Sequence, residues 1–262
     1  MNEAMRNEII ARLEKIERTT GVKILHAVES GSRAWGFESP DSDYDVRFIY
    51  VRKPEDYLKI QPDADVIEWE LNEMLDINGW DLRKALQQAH RSNNTLFEWN
   101  LSPVVYKTTE DWAEIAEVIS SYFSRKVSMY QYYGTARKNK ELWLSGEKVR
   151  YKKYMYVLRP LLACRWIEEK GTPASVEFSK LEEAVLPEEL VTPVNMLLAE
   201  KKQMSEADEG PRIPEIDSFI DEQLKYYKQV SDELADDRRK EWDPLNAAFY
   251  KCVTNVAWQA TT

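Results

Sequence analysis

Two acidic residues, Asp43 and Asp45, stand at the start of a predicted buried strand in the stretch DSDYDVRFIYV. Side chains at positions i and i+2 of a strand point to the same face, about 6–7 Å apart along the chain. The two carboxylates therefore project together, while Tyr44 points away. Two such charges at a separation of about 4 Å repel by about 4 kcal/mol at an effective dielectric constant of about 20. A divalent cation between them would reverse that cost, and oxygen-only ligands favour Mg²⁺, or Mn²⁺ in its place.

A second feature, Gly31-Ser32, precedes these acids by a spacer of ten residues. It follows a predicted strand and leads into a predicted helix start. Glycine permits close backbone approach, and helix N-termini attract phosphate through free N–H groups and the helix dipole. The Ser32 hydroxyl can add a hydrogen bond, and Arg33 can reach a phosphate or remain solvated. Together the two features predict a nucleoside triphosphate, ATP favoured, with its phosphates at Gly31-Ser32 and its metal ions on Asp43 and Asp45.

The surrounding elements are predicted from hydrophobic periodicity. Up to about residue 107 helices alternate with strands, and beyond Pro103 strand signals nearly vanish. The helices of the first part are predicted at 2–19 and 81–93, and its strands at 22–29, 45–51, 66–71 and 74–80, with a tight turn at Asn72-Glu73. Later helices are predicted at 109–124, 125–145, 148–169, 188–204, 215–236 and 243–258, and a polar connection at 204–215. We therefore expect an α+β fold with a mixed-sheet domain at 1–107 and an all-helical domain at 108–262.

Composition limits the class of protein. The chain has 262 residues, a formal net charge of −10, two cysteines and two histidines. Two cysteines exclude a disulfide framework, and two histidines argue against a His-rich zinc site. No apolar run approaches the roughly 18 residues that a membrane span needs, and the N-terminus lacks the apolar core of a signal peptide. We expect a cytoplasmic protein that does not bind membranes and does not coat nucleic acid indiscriminately.

The spacing Gly-Ser-x10-Asp-x-Asp resembles the motif of the DNA polymerase β nucleotidyltransferase superfamily, present here as Gly31-Ser32 and Asp43-Tyr44-Asp45-Val46. More narrowly, the chain resembles predicted nucleotidyltransferases of the YcgL type, some of which are associated with RNA-repair operons. That resemblance covers most of the chain, through the segments GSRAWGFESPDSDYDVRFIYV, DINGWDLRKAL, SNNTLFEWNLSPVVY and KKYMYVLRPLLACRWIEE. It implies a palm-like nucleotidyltransferase domain and two-metal nucleotidyl transfer, but it supplies no substrate.

The superfamily also implies a third carboxylate on a neighbouring strand, which binds metal and takes the proton from the attacking hydroxyl. We choose Asp76, because it lies inside a predicted strand between two apolar residues. Asp81 is the alternative, although it directly precedes a predicted helix and also suits an N-cap. Arg47 shares the face of Asp43 and Asp45, as either a salt-bridge partner or a substrate contact.

Positive charge and aromatic side chains are concentrated in the second half of the chain. Between residues 137 and 153, seven basic residues stand against two acidic ones, a net charge of +5. Lys152, Tyr156 and Arg159 follow the spacing i, i+4, i+7 and share one helix face. We predict that this face binds the nucleotide, with a solvated helix face as the ordinary alternative.

The sequence therefore predicts a Mg²⁺-dependent nucleotidyltransferase that moves a nucleoside monophosphate from a nucleoside triphosphate to an acceptor hydroxyl. An RNA 3′ end is the favoured acceptor, because of the basic, aromatic helical half and the family association. A partner protein that becomes AMPylated is the second candidate and a small molecule the third. A non-catalytic nucleotide-binding module is the alternative from a different class. The base preference, the acceptor and the oligomeric state stay open.

Overall fold

The computed structural model describes residues 2–39, 42–72, 74–203 and 208–256, without the side chains of residues 202 and 203. Glu73 of the predicted turn, the start of the predicted 204–215 connection and the end of the predicted 243–258 helix lie outside this description. Contacts divide the chain into two compact units. Unit 1 comprises residues 1–34, 43–122 and 239–262, and unit 2 comprises 35–42 and 123–238. Neither unit is continuous in sequence, whereas the predicted division was one cut near residue 107.

Unit 1 is built on a five-stranded mixed sheet with the strand order β3-β4-β2-β1-β5. Its strands are β1 (Lys23–Ser30), β2 (Tyr44–Val51), β3 (Val66–Leu71), β4 (Leu75–Asp81) and β5 (Val105–Thr108). Its helices are α1 (Glu3–Thr20), α2 (Gly31–Trp35), α3 (Leu82–His90), α4 (Asn94–Asn100), α5 (Glu110–Ser120) and α11 (Asp243–Asn255), with a 3₁₀ helix at Pro54–Leu58. Only β2 and β4 pair in parallel; the other neighbouring strands are antiparallel.

The core of unit 1 follows from the alternation of residues in β2. Tyr44, Val46, Phe48 and Tyr50 are buried in one cluster with the apolar stripe of α1, Ile9, Leu13 and Ile16. Ile49 and Val51, which point the other way, are also buried. Both faces of the C-terminal half of β2 are thus covered, as its apolar residues on both faces predict. Only Asp45 and Arg47 interrupt this pattern, near the start of the strand.

Unit 2 is formed around helix α7 (Tyr151–Lys170), whose residues from Val157 to Cys164 are all buried. Its other helices are α6 (Arg125–Trp143), α8 (Phe178–Val185), α9 (Glu188–Gln203) and α10 (Pro214–Glu233). A two-stranded ribbon of β6 (Lys148–Arg150) and β7 (Glu209–Pro211) accompanies them. The predicted α+β class is confirmed, although the helical half carries this small ribbon and α7 begins at Tyr151 rather than at residue 148. None of the described helices combines the length and the apolar character that crossing a membrane requires.

Candidate active site

The parallel pairing of β2 with β4 places Asp45 opposite Asp76 in register. Each is the second residue of its strand, so both carboxylates stand at the same end of the sheet. Adjacent strands are about 4.8 Å apart, which brings the two side chains within reach of one shared partner. Asp43 directly precedes β2 and is half-buried. The structure therefore brings the three predicted carboxylates to one region of unit 1; their catalytic and metal-binding functions stay predictions.

Arg47 supplies the positive charge between two of these carboxylates. Its Nη2 donates to Asp45 Oδ1 at 2.9 Å and to Asp76 Oδ2 at 2.6 Å. Its Nη1 donates to the Asp76 carbonyl at 2.8 Å. Of the two functions considered for Arg47, the structure shows the salt bridge. One guanidinium thus joins the second residues of β2 and β4 and limits the repulsion between their carboxylates.

Gly31 lies against the same carboxylate. Its φ of +61° is a conformation that glycine adopts readily, and a Cβ there would lie 2.0 Å from Asp45 Oδ2. No other residue fits without moving Asp45. The close backbone approach that the sequence predicts at Gly31 is therefore made, within unit 1, by the carboxylate of Asp45. Ser32 next to it is buried, at 4% exposure.

Glu29 is a site residue that the sequence interpretation missed. It is fully buried at the end of β1, accepts the Asp45 N–H at 2.9 Å and accepts the Tyr106 hydroxyl. Burial raises the pKa of Glu29 to about 7, against the lowering effect of these two hydrogen bonds. An acidic residue inside the apolar strand, two positions before Gly31, was the available signal. Its carboxyl group orients the backbone of Asp45.

Arg33 contacts the backbone of Asp43. Its Nε donates to the Asp43 carbonyl at 2.9 Å, and its guanidinium lies 3.8 Å from the centre of the Tyr44 ring. Contact between Arg33 and a phosphate stays a prediction. In the described part of the chain, the carboxylate of Asp43 has no hydrogen-bond or salt-bridge partner. Among the residues that the structure describes, its oxygens therefore take no part in holding the fold.

The donor chemistry of these residues fits a hard divalent cation, since all three side chains offer carboxylate oxygens. Within residues 2–39, 42–72, 74–203 and 208–256, however, no three acidic, histidine or cysteine side chains form a ready metal cluster. Arg47 holds one oxygen of Asp45 and one of Asp76. A cation at this site would compete with that guanidinium.

Asp81, the alternative third carboxylate, lies at the other end of β4. It is the N-cap of α3, where its Oδ1 accepts the Arg83 N–H at 2.8 Å. Its Oδ2 accepts the Tyr57 hydroxyl at 3.0 Å, and Arg52 Nε lies 3.8 Å away. Both oxygens of Asp81 are thus used to hold unit 1 together. The capping function that its sequence position suits is the one that the structure shows.

The three residues predicted to bind the nucleotide from the helical half lie along α7 in unit 2. Lys152 Nζ is 5.7 Å from the centre of the Tyr156 ring. Trp35 meets the Tyr156 ring edge-on at 5.7 Å, and its own ring lies 4.5 Å from the Arg159 guanidinium. Arg159 is only 4% exposed. Tyr156 and Arg159 of the predicted face therefore contact Trp35, a residue that the sequence interpretation did not single out. Nucleotide contact by Lys152, Tyr156 and Arg159 stays a prediction.

The basic segment of residues 137–153 is partly neutralised by its neighbours. Lys140 pairs with an acidic residue of α10, and Arg137 and Arg150 approach glutamates at 3.8 and 3.9 Å. Lys138 and Lys148 are exposed and make no salt bridge to any described residue. The effective positive charge of this surface is therefore lower than the formal +5.

Comparison with known proteins shows the family of the chain. Residues 5–251 match the model of the RNA repair pathway DNA polymerase beta family. The uncharacterized protein YcgL of Bacillus subtilis (strain 168) is 42% identical over 254 residues, which cover 96% of this chain and 98% of that protein. A crystal structure of a nucleotidyltransferase-like protein from Exiguobacterium sibiricum 255-15 covers 86% of this chain and 74% of that one, at 12% identity and a TM-score of 0.31. That score is too low to establish a common fold.

The family match spans nearly the whole chain and includes Gly31, Ser32 and the three carboxylates, and the relative in Bacillus subtilis is similar along its full length. The resemblance seen in the sequence is confirmed. The chain belongs to the RNA repair pathway DNA polymerase beta family, a membership that indicates nucleotidyl transfer.

Proposed function

We propose that the protein is a Mg²⁺-dependent enzyme that transfers a nucleoside monophosphate from a nucleoside triphosphate, with ATP favoured, to an RNA 3′ hydroxyl. The observation that supports this most strongly is the register of β2 and β4, which sets Asp45 beside Asp76. Asp43 adds a third carboxylate whose oxygens have no described protein partner. All three side chains offer carboxylate oxygens, the donors that a hard divalent cation prefers.

The proposed reaction forms one bond and breaks one. The oxygen of the acceptor hydroxyl bonds to the α-phosphorus, the bond from that phosphorus to the bridging oxygen breaks, and pyrophosphate leaves. The hydroxyl proton passes to the carboxylate of Asp76. When bound, Mg²⁺ supplies charge neutralisation for the phosphate oxygens and the acceptor oxygen. Catalysis of this kind consists mainly of positioning and electrostatic stabilisation.

The contacts of the residues in unit 1 indicate a separate function for each. Glu29 and Arg33 fix the backbone at Asp45 and Asp43. Gly31 lets the Asp45 carboxylate lie close to the backbone of the phosphate-binding motif. Gly31, Ser32 and Arg33 are our proposed phosphate contacts. From unit 2 we propose Lys152, Tyr156 and Arg159 as nucleotide contacts, since an aromatic ring flanked by cations suits a base and its phosphates.

RNA is the acceptor class we favour over a protein side chain or a small molecule. The name of the family to which the chain belongs refers to an RNA repair pathway. In addition, Lys138 and Lys148 are exposed and have no acidic partner among the described residues. Contacts of this kind with phosphates release counterions, so RNA affinity should fall as salt rises, with a slope of about −0.7 per phosphate contact on single strands.

The test is a transfer assay with each α-³²P-labelled nucleoside triphosphate, Mg²⁺ and either total RNA or cell extract. We expect the label to enter material that ribonuclease degrades and protease does not. Label in protease-sensitive material would replace RNA by a protein acceptor, and label in small solutes would point to a small-molecule acceptor. Binding of nucleotide with no transfer to any of them would leave only the non-catalytic nucleotide-binding module.

The salt dependence of RNA binding gives a second line. Lys138→Gln with Lys148→Gln should weaken RNA binding and flatten its salt slope, while nucleotide binding is unchanged. Lys180→Gln is the matched control, because that exposed lysine of α8 already pairs with Glu177. No salt-sensitive RNA binding by the wild type at low ionic strength would remove RNA as the acceptor.

A further inference from the structure

The residues between the two halves of the motif belong to unit 2, although both halves themselves belong to unit 1. Gly31 and Ser32 precede this segment, residues 35–42, and Asp43 follows it directly. Phe37 is 3% exposed in the core cluster of unit 2, where its ring meets Phe178 edge-on at 5.9 Å. Phe37, in the connection between Gly31-Ser32 and Asp43, is therefore held by the packing of unit 2.

Two buried cations hold this segment. Within the described ranges, the buried basic residues are Arg159 and Lys201, and each is 4% exposed. Arg159 lies over the Trp35 ring, as described above. Lys201, near the end of α9, donates to the Phe37 carbonyl and, at 2.9 Å, to Ser39 Oγ. Burying a cation is costly unless its hydrogen bonds are supplied. The hydrogen bonds that Lys201 donates to Phe37 and Ser39 supply them from this short segment.

From Lys201 a chain of hydrogen bonds leads to the residue before Asp43. Ser39 and Ser42 are both buried and bind each other twice. The Ser39 N–H donates to Ser42 Oγ at 3.0 Å, and the Ser42 N–H donates to the Ser39 carbonyl at 3.1 Å. Ser42 is then joined to Asp43 by the peptide bond. Displacement of Ser39 by loss of Lys201 would be passed on directly to the backbone of Asp43.

We propose that Lys201 is a positioning residue for Asp43, an inference that rests on the proposed function. Its ammonium group fixes Ser39, which is hydrogen-bonded to Ser42, and through Ser42 it sets where the backbone of Asp43 stands. Lys201 acts through these serines and touches neither nucleotide nor acceptor.

Lys201→Met tests this, because methionine keeps an unbranched apolar chain and removes the donors. Three quantities are compared with the wild type: hydrogen exchange of the Ser42 amide, Mn²⁺ affinity measured by electron paramagnetic resonance, and kcat and KM for the nucleotide. We expect faster exchange, Mn²⁺ affinity lower by about tenfold or more, and a lower kcat at unchanged KM, as for loss of an outer partner of a metal ligand. Lys201→Arg should restore part of each loss.

Lys225→Met is the control, since Lys225 is an exposed lysine of α10 in the same unit. It should match the wild type in all three quantities. If Lys201→Met does not fold, Ser39→Ala removes the hydroxyl that Lys201 binds and should change the same quantities in the same direction by a smaller factor.

The outcomes separate this proposal from the proposed function. A folded Lys201→Met with wild-type Mn²⁺ affinity overturns the proposal, even where exchange at Ser42 is faster, because Lys201 would then be structural only. A wild type that neither binds Mn²⁺ nor transfers nucleotide ends the proposed function, and this proposal with it, before any variant is compared.

Discussion

Strand β4 carries an aspartate near each end, and the fold treats the two differently. The side chain of Asp76 is 25% exposed and shares one guanidinium with Asp45. The side chain of Asp81 is 5% exposed, and both of its oxygens accept hydrogen bonds from unit 1. The same residue type, five positions apart, is our proposed ligand at one end and an N-cap of the fold at the other. The two aspartates differ in how many of their carboxylate oxygens accept hydrogen bonds from residues that hold the fold together.

The charge balance sharpens this contrast. At the Asp81 end, Arg52 adds a cation to the capped carboxylate. At the other end, Arg47 pairs with Asp45 and Asp76, and no described contact joins it to the carboxylate of Asp43. A repulsive group of carboxylates persists in a folded protein only when something stabilises it, and a bound cation is the usual means. The Asp76 end is therefore where substitutions should change activity, and the Asp81 end is where they should change stability.

The largest expected effect is on the activity of Asp45→Asn and Asp43→Asn. Metal-ion catalysis contributes several kcal/mol, so each should lower nucleotide transfer by roughly 10³-fold or more. Unfolding free energy should stay close to that of the wild type, because these side chains are partly exposed. Asp81→Asn is the matched variant and should keep most of the activity. Urea unfolding and transfer assays on the same preparations give both numbers, and near-full activity in Asp45→Asn would contradict the assignment.

Asp76→Ala and Asp81→Ala test the same contrast by truncation. Loss of a general base costs roughly 10²-fold or more in rate, so Asp76→Ala should lose transfer while it still binds nucleotide, because a base acts on the acceptor. Asp81→Ala should instead lower the unfolding free energy by about 1–2 kcal/mol, the cost of a lost N-cap. Fluorescence titration with nucleotide and urea unfolding measure the two. The reverse pattern would mean that the third carboxylate is Asp81.

Arg47→Met should raise the affinity for Mn²⁺. The guanidinium competes with a metal ion for Asp45 and Asp76, and hydrogen bonds to charged groups contribute about 1.5–3 kcal/mol. Since about 1.4 kcal/mol corresponds to a tenfold change, we expect an increase of roughly tenfold. Arg52→Met, at the Asp81 end, is the control and should leave Mn²⁺ affinity unchanged. Weaker Mn²⁺ binding in Arg47→Met would show that Arg47 organises the carboxylates for metal rather than competing with it.

The smallest expected effect is a pH dependence at the Asp81 end. Burial raises the pKa of Asp81 above its ordinary value of 3.8, although its hydrogen bonds with Arg83 and Tyr57 lower it. The folded state therefore holds this proton more tightly than the unfolded state, and stability falls as pH rises from 3.8 through the folded pKa. The wild type should lose this part of its unfolding free energy on raising the pH, and Asp81→Asn should not. Parallel slopes in urea unfolding for the two proteins would remove Asp81 as the source.

Much of the site in unit 1 could be predicted from local pattern. The alternation in β2 predicted which side chains are buried together, and the interruption of that pattern marked Asp45 and Arg47. The position of Asp76 inside a strand and of Asp81 before a helix predicted which of the two is an N-cap. Each of these inferences needs only the period of one element.

What the sequence could not supply depends on pairing between distant segments. The bridge from Arg47 to Asp76 requires the parallel register of β2 with β4, and no pattern within either strand fixes that register. The contact of Lys201 with Ser39 joins residues 162 positions apart. The short elements α4, β5 and α8 were also not predicted, because seven, four and eight residues carry too few repeats of an apolar pattern.

The position of the transferred label tests the central claim most directly. Wild-type protein is incubated with Mg²⁺, RNA and nucleoside triphosphate labelled either at the α- or at the γ-phosphorus, beside Asp45→Asn and Asp81→Asn. With the wild type and with Asp81→Asn, we predict that the α-label enters the acceptor and that the γ-label leaves as pyrophosphate. With Asp45→Asn, we predict that neither happens. Transfer of γ-label, or equal transfer of α-label by Asp45→Asn and the wild type, would contradict nucleotidyl transfer by these carboxylates.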